Sequence, residues 1–290
     1  MMEMTIQRAI AKVVSGENLT REEARTVMGF IMDGQATPAQ IASLITALNM
    51  KGETADEIGG FAESMRSKAN RVRAERTNLL DTCGTGGDGA RTFNISTASA
   101  IVAAAGGVRV AKHGNRAMTS KSGSADVLEA LGVNISLTPD QAARCLEEIG
   151  ICFMFAQTHH PSMRHAAGPR REIGIRSIFN LLGPLTNPAG ADRQLLGIFD
   201  SSKTELVAEV LGSLGIKRGL VVASRDGLDE ISISAPTKVT EVKDGVLSTT
   251  EITPDDLGLR EYPLSEVAGG DAQRNAEIIR AVFAGERGAC

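Results

Sequence analysis

The sequence has no CxxC pair among its four cysteines, Cys83, Cys145, Cys152 and Cys290, and so carries no sign of a disulfide framework. It also lacks an excess of basic charge. The 31 Lys and Arg stand against 35 Asp and Glu, a formal net charge of -4, which argues against broad nucleic-acid or anionic-membrane binding and makes any anion site local. No N-terminal stretch joins a basic region to an apolar core and a cleavage site. The longest apolar run, residues 98–107, is broken by Ser99 and ends in two glycines, short of the roughly 18 residues a membrane helix needs; it reads as a buried helix. These absences together predict a cytoplasmic protein with reduced thiols. At 290 residues, with 42% hydrophobic and 23% charged, the chain can bury about three quarters of its unfolded surface, in one large domain or two modest ones.

What is plentiful is glycine, 31 residues, above the usual level of roughly 7%. The excess calls for loops that require it. The first 70 or so residues repeat a helix-start pattern, a threonine followed three positions later by Glu or Gln: Thr20 with Glu23, Thr37 with Gln40, Thr54 with Glu57. Apolar residues follow at helical spacing, which predicts four short helices packed as a bundle. The spacers between the caps share no similarity, so no internal repeat is inferred. The polar stretch NRVRAERTN, residues 70–78, reads as a linker.

Beyond it the period changes. Residues 79–83 read as a short buried strand, 94–105 as a helix, 108–112 as a strand and 125–131 as a helix. Thr138 with Gln141 opens another helix to residue 148, and 151–156 reads as a strand. Strand and helix in alternation imply right-handed crossovers and a parallel sheet, with ligands at the C-terminal strand ends. The fold class is therefore α/β: a small N-terminal helical bundle domain plus a larger α/β domain with a mainly parallel central sheet.

Between the first strand and its helix lies GTGGDG, residues 84–89, in which Gly84, Gly86 and Gly89 match GxGxxG. That spacing alone is weak, because a dinucleotide site needs an acidic residue about 20 positions on. None occurs between Asp88 and Asp126, and the next strand ends in Lys112 and His113, which argues against NAD while leaving NADP open. No GK[ST] follows, so a Walker loop is excluded. What survives is a flexible backbone whose amides can converge on an anion, weighed against a plain glycine-rich turn. The second strand runs into KHGNRAMTSKSGSAD, residues 112–126, which sets cations and hydroxyls before a helix; alone it reads equally as a solvated basic loop. Two such loops on consecutive strands lie about 5 Å apart per strand, so one ligand with two phosphate groups can bridge them. A third segment, SRDGLDEI, residues 224–231, follows the apolar strand 219–223. Its Asp229 and Glu230 are hard oxygen ligands of the kind that hold Mg²⁺, although acidic loop pairs are more often solvated.

Four segments, LLDTCGTGGDGARTFNISTASA, KHGNRAMTSKSGSADVLEALG, RREIGIRSIFNLLGPLTNP and DGLDEIS, occur in the order and approximate spacing of one known family. From residue 3 to the end the chain resembles the anthranilate phosphoribosyltransferases. The KHGNR and GPLTNP segments are the specific ones, since the first motif is shared in looser form with pyrimidine nucleoside phosphorylases of the same fold. The resemblance implies transfer of a 5-phosphoribosyl group from phosphoribosyl pyrophosphate to the amine of anthranilate, in tryptophan biosynthesis, with Mg²⁺ as cofactor. It also implies a homodimer joined through the helical domain.

Further implications of the resemblance attach to single residues. Gly84, Gly87 and Asp88 match positions on the pyrophosphate side of the donor, with Thr92, Asn94, Ile95, Ser96 and Thr97 beside them. Lys112, His113, Gly114, Asn115, Arg116, Ala117, Met118, Thr119, Ser120 and Ser124 match further donor contacts. Asn115 and Arg170 match the anthranilate site, with Gly84 shared, and Ser96, Asp229 and Glu230 match Mg²⁺ ligands. The helical domain is expected to span 1–72, joined by helices around 165–185, and the α/β domain 73–290. The family continues several tens of residues beyond GERGAC with further helices, which this sequence, ending at Cys290, is expected to lack.

Displacing pyrophosphate from a sugar C1 passes through an oxocarbenium-like state, so metal ions and preorganised amides are the main need. The amine of anthranilate is neutral at pH 7 and needs no strong base, so no general base is assigned. Arg170 can pair bidentately with a benzoate carboxylate. Two other features have weaker readings. His159, His160 and His165 in THHPSMRH match no standard zinc spacing and suit a packed loop, which the resemblance implies lies near the aromatic substrate's route. Cys83 lacks a base placed by the sequence and reads as a buried strand end rather than a nucleophile. The alternatives to the transferase are a pyrimidine nucleoside phosphorylase and a catalytically silent phosphoribosyl-ligand binding protein.

Overall fold

The computed structural model describes residues 4–117 and 120–290. Four helices open the chain: α1 (Ile6–Val14), α2 (Arg21–Met32), α3 (Pro38–Lys51) and α4 (Ala55–Lys68). The last three start on the capping boxes read from the sequence. In each, the threonine hydroxyl accepts the N3 amide at 3.3 Å while the N3 carboxylate or amide accepts the threonine amide at 2.8–2.9 Å. Such a cap is worth about 1 kcal/mol. Glu57 has a second role: fully buried, it also accepts the Leu19 amide and pairs with Lys51 at 3.0 Å, so one side chain ties the starts of α2 and α4 to the end of α3.

The rest of the chain alternates as β1 (Leu79–Asp81), α5 (Ile95–Ala105), β2 (Arg109–Gly114), α6 (Ser124–Ala130), α7 (Pro139–Glu148), β3 (Ile151–Phe155), α8 (Ala156–His159), α9 (Arg164–Ile173), α10 (Phe179–Leu182), β4 (Arg193–Gly197), α11 (Thr204–Ser213) and β5 (Arg218–Ser224). A hairpin, β6 (Thr237–Lys243) and β7 (Val246–Ile252), and a final helix, α12 (Ala272–Phe283), follow. The seven strands form one sheet in the order β3-β2-β1-β4-β5-β6-β7, parallel through β5 and antiparallel beyond it. The mainly parallel α/β reading therefore holds. Successive residues of β3 serve opposite faces: Cys152 and Met154 pack with Leu146 of α7, whereas Phe153 and Phe155 pack with Ala125 and Leu128 of α6.

Two local expectations need correction. β1 ends at Asp81, so Cys83 lies beyond the strand and is half-buried. The helix α5 is not buried throughout: Thr97, Ala98 and Ala100 face inward while Val102 is 55% exposed. Small side chains let it pack closely through one stripe only.

The bundle does not stand apart. Val27, Leu44 and Phe61 belong to the same apolar core as Ala166, Phe179 and Leu182 of α9 and α10, Leu196 of β4, Ala208 and Leu211 of α11, and Val221 of β5. Arg66, withdrawn from solvent, donates from α4 to the carbonyls of Leu185 and Leu214, and burial pulls its pKa down to about 10. The polar stretch after α4 is strapped down as well. Asn70 bonds through its amide to the His159 carbonyl, and Val72 is buried with its amide on the Pro188 carbonyl.

Candidate active site

In the strand order, β1 runs on to β2 and β3 on one side while β4 and β5 lie on the other. The gap between β1 and β4 is therefore the switch point where a parallel sheet opens a crevice at its C-terminal edge. The glycine loop, residues 84–89, leaves β1 at that edge. Gly86, Gly87 and Gly89 have φ of +64°, +81° and +77°, conformations that side-chain-bearing residues rarely adopt. Gly84 is needed for closeness instead: a Cβ there would lie 3.0 Å from the Gly197 carbonyl oxygen and 3.2 Å from Asp229 Oδ2. The Thr85 amide donates to Gly197 O at 2.8 Å and the Gly86 amide to Asp229 Oδ2 at 2.7 Å. The loop after β1, the end of β4 and the loop after β5 thus meet around Asp229.

Three carboxylates gather there. Asp88 lies against Asp229, and Glu230 faces the Ser96 amide at the start of α5. Asp229 and Glu230 keep some exposed surface, yet their carboxyl groups sit deep enough for desolvation to lift both above the usual carboxylate range. Like charge lifts them further, from Asp88 on Asp229 and from Asp229 on Glu230. Lys112 supplies the nearby positive charge. It is 4% exposed, and its Nζ donates to Thr82 O at 3.1 Å, Thr82 Oγ1 at 3.1 Å and Ser96 Oγ at 3.2 Å. Carboxylates held at raised pKa beside a hydroxyl are a donor set for a hard divalent cation, which restores their ionised form and completes its shell with water and phosphate oxygens. Ser96, Asp229 and Glu230 therefore fit Mg²⁺.

The second loop adjoins the first because β1 and β2 are direct neighbours. Asn94 Nδ2 donates to Ser122 O at 3.1 Å and Ser122 Oγ to Asn94 Oδ1 at 3.3 Å, so the loops are stitched together. The turn is tight: a Cβ on Gly114 would lie 2.2 Å from Ser124 Oγ, and one on Gly123 would lie 2.4 Å from the Ala117 amide. Asn115 is exposed; its carbonyl accepts from Ser124 Oγ and the Ala125 amide, while its Oδ1 accepts the Arg116 amide. Ser120 donates to Ser122 O at 3.4 Å. Thr92 forms a bridge with Ala268, and Thr97 buries its hydroxyl without a partner among the described residues. Ile95 and Gly114 are half-buried. Met118 and Thr119 lie outside the described residues.

Two basic residues of this loop turn away from it. Arg116 spends its guanidinium on Asp126 at 2.9 Å and Glu129 at 2.5 Å. His113 is buried, its Nδ1 on the Gly183 carbonyl and its ring 5.1 Å from that of His160. Desolvation, aided by the neighbouring histidines, holds it well below the ordinary imidazole pKa. His160 Nε2 bonds to Thr186 O and His159 Nδ1 to Asn70 O, while His165 packs on Gly34, so the three histidines of THHPSMRH do not converge. Among the described residues no three His, Cys, Asp or Glu side chains converge closely enough to hold a metal by themselves, so a cation at Asp229 and Glu230 would complete its shell with Ser96, water and phosphate oxygens. Burial raises the Cys83 thiol far above its ordinary pKa, which removes it as a nucleophile. Arg170, on α9, lies 5.0 Å above the Phe179 ring, and burial alone lowers its pKa, with no carboxylate offsetting it. Through α10, which ends beside Gly183, it is linked to His113.

Some supporting residues lie inside the quoted segments, yet no role is assigned to them from sequence. Asp81 accepts the His113 amide at 3.1 Å and Asn187 Nδ2 at 2.7 Å, and Asn187 also donates to Ala111 O, so the GPLTNP turn braces β1 and β2 beneath the crevice. Arg176 stacks 3.8 Å over Phe199 and donates to the Gly87 carbonyl. A glycine at a strand end after an apolar run, Gly197, is the one legible hint of a close approach.

A helical bundle fused to a sheet with this crevice is the plan of a pentosyl-transferring enzyme. Family models agree: residues 7–69 match the helical bundle domain and residues 76–290 the a/b domain of the glycosyl transferase family. An anthranilate phosphoribosyltransferase of Brevibacillus brevis is 56% identical over 281 residues, covering 97% of this chain and 82% of that protein. The crystal structure of the Thermus thermophilus anthranilate phosphoribosyltransferase superposes with a TM-score of 0.91 at 46% identity, covering 97% of this chain and 84% of that one. The Saccharomyces cerevisiae enzyme, in complex with PRPP and Mg, gives 0.86 at 27% identity, over 95% of this chain and 80% of that one. The chain belongs to the anthranilate phosphoribosyltransferase family. These relatives favour neither the phosphorylase nor the silent binding protein.

Proposed function

We propose that the crevice takes phosphoribosyl pyrophosphate and anthranilate and that the chain transfers the 5-phosphoribosyl group to the anthranilate amine, giving N-(5-phosphoribosyl)anthranilate and pyrophosphate in tryptophan biosynthesis. The observation that carries this reading is the convergence on one strand-end crevice of the glycine loop, the start of α5 and the Asp229–Glu230 pair. Gly84, Gly87, Asp88, Thr92 and residues 94–97 take the pyrophosphate side of the donor; Lys112, Gly114, Asn115, residues 117–120 and Ser124 take the remainder, while His113 and Arg116, turned away, hold the loop in shape. Ser96, Asp229 and Glu230 hold Mg²⁺, which when bound offsets the negative charge growing on the departing pyrophosphate.

The bond from C1 to the pyrophosphate oxygen breaks with its electron pair leaving on oxygen, the C1–N bond forms, and the amine proton goes to solvent. Loop amides and the α5 N-terminus face the leaving group without reorganising. Lys112 keeps the Ser96 hydroxyl in place. Arg170, desolvated and without a carboxylate partner among the described residues, pairs with the anthranilate carboxylate and aims the amine, with Asn115 and Gly84 beside the ring. A base is not needed, and the buried histidines, neutral and tied to backbone carbonyls, are not placed as one.

On the same reading the chain divides into a helical domain, 1–72 with helices around 165–185, and an α/β domain, 73–290, and it works in the cytoplasm as a homodimer joined through the bundle. Among the described residues no helix is long and apolar enough to cross a membrane. The test is to mix protein, donor and Mg²⁺ with anthranilate and follow the loss of anthranilate fluorescence, which a chain with no Trp and one Tyr hardly obscures. Thymidine phosphorolysis without anthranilate turnover would replace this reading with the phosphorylase, and donor binding with neither activity would leave a binding protein.

A further inference from the structure

The C-terminal end of the glycine loop is gripped by a segment more than 170 residues away in sequence. The Phe93 amide donates to Val267 O at 3.1 Å, the Gly269 amide donates to Arg91 O at 2.8 Å, and Thr92 forms an antiparallel bridge with Ala268. The fit leaves no room: a Cβ on Gly269 would lie 2.7 Å from both the amide nitrogen and Cα of Phe93. From α12, Asn275, 1% exposed, completes the grip. Its Oδ1 accepts the Gly270 amide at 2.7 Å and its Nδ2 donates to Asn94 Oδ1 at 2.9 Å.

The chain of donors and acceptors runs one way. A backbone N–H can only donate, so Gly270 settles which end of the Asn275 amide faces it and turns Nδ2 toward Asn94. Asn94 must then present Oδ1 to Asn275 and Nδ2 to the carbonyl of Ser122, an acceptor only. Its second Nδ2 hydrogen is left facing neither of these partners. Asn94 is thereby a hub joining the glycine loop, the second loop and α12, with its amide orientation imposed from behind.

We propose that Asn275 is a positioning residue for the phosphoribosyl donor, acting through Asn94 by fixing the orientation of its amide and the course of residues 91–94. The proposal rests on the reading of the crevice as the donor site. Asn275→Asp keeps the acceptor for Gly270 but cannot donate to Asn94, and it sets carboxylate oxygen against amide oxygen.

The experiment compares wild type, N275D, N94A and N94A/N275D, each checked for a cooperative thermal transition. It measures donor KM and anthranilate KM by fluorescence, and donor Kd with Mg²⁺ by calorimetry. The expected result is a donor KM and Kd raised on the order of tenfold in N275D, an anthranilate KM within about twofold, and a double variant no worse than N94A alone. Should N275D fail to fold, N275S, which withdraws the contact without adding charge, takes its place. An unchanged donor KM, equal changes for both substrates, or additive losses in the double variant would overturn the proposal. Wild-type protein that fails to bind the donor would instead overturn the reading of the site.

Discussion

Gly197 and Asp229 meet backbone to backbone across the mouth of the sheet: a Cβ on Gly197 would lie 1.5 Å from the Asp229 carbonyl oxygen. No rotamer change relieves a clash between main chains. Gly197→Ala must push the loop after β5 away from β4, and overpacking of this kind costs about 1–3 kcal/mol. It also moves a carboxylate assigned to Mg²⁺. The expected outcome is a modest fall in Tm and a shift of at least about tenfold in the Mg²⁺ concentration for half-maximal activity, equivalent to roughly 1.4 kcal/mol. A Mg²⁺ titration of the variant that overlays the wild type would show that Asp229 does not serve the metal.

Arg170 offers a cleaner separation of the two substrates. Its guanidinium sits over Phe179, and burial has already stripped part of its water. A hydrogen bond to a charged group contributes about 1.5–3 kcal/mol. Arg170→Ala is therefore expected to raise the anthranilate KM by roughly 10- to 150-fold while moving the donor KM far less. Steady-state kinetics with each substrate varied in turn decide it, and matched rises in both constants count against the assignment.

His160 links stability to pH. Desolvation, partly opposed by its bond to the Thr186 carbonyl, holds its pKa at about 4 against 6.5 in an unfolded chain. The unfolded state therefore binds more protons between those values. Stability from the neutral imidazole is complete above pH 6.5 and lost as the pH falls toward 4, by about 3 kcal/mol. His160→Gln keeps an N–H for Thr186 and cannot titrate. Its stability relative to wild type, measured by urea unfolding, should rise on acidification from pH 7 to 4.5; parallel curves would show that His160 is protonated in the folded protein.

Much of the frame is legible in the sequence because local chemistry decides it. The threonine caps mark three helix starts and that of α7, and the glycines at positive φ announce the loop after β1. Other elements carry weaker local signals. The β4 segment RQLLG has too short a pattern to stand out, and β6 and β7 escape the periodicity although Asp244 and Gly245, both at positive φ, form the kind of two-residue turn that marks a hairpin. The candidate site divides the same way. Loop residues can be named from motifs, whereas Asp81, Asn187, Arg176 and Asn275 act through partners tens to hundreds of positions away, and no window of sequence contains such a pair. Arg116 shows the converse. In sequence it is one more cation in a basic loop, and only the fold places Asp126 and Glu129 where they neutralise it.

The apolar core shared by the bundle, α11 and β5 makes the molecule mechanically lopsided. Asp229 and Glu230 ride on the half welded to the bundle, whereas Lys112 rides on β2, coupled to that half through β1, whose register with β4 is only two residue pairs long. A shift of the helices would reach the acidic side through that core, and the lysine side through the short β1–β4 register together with the His113–Gly183 and Asn187–Asp81 bonds.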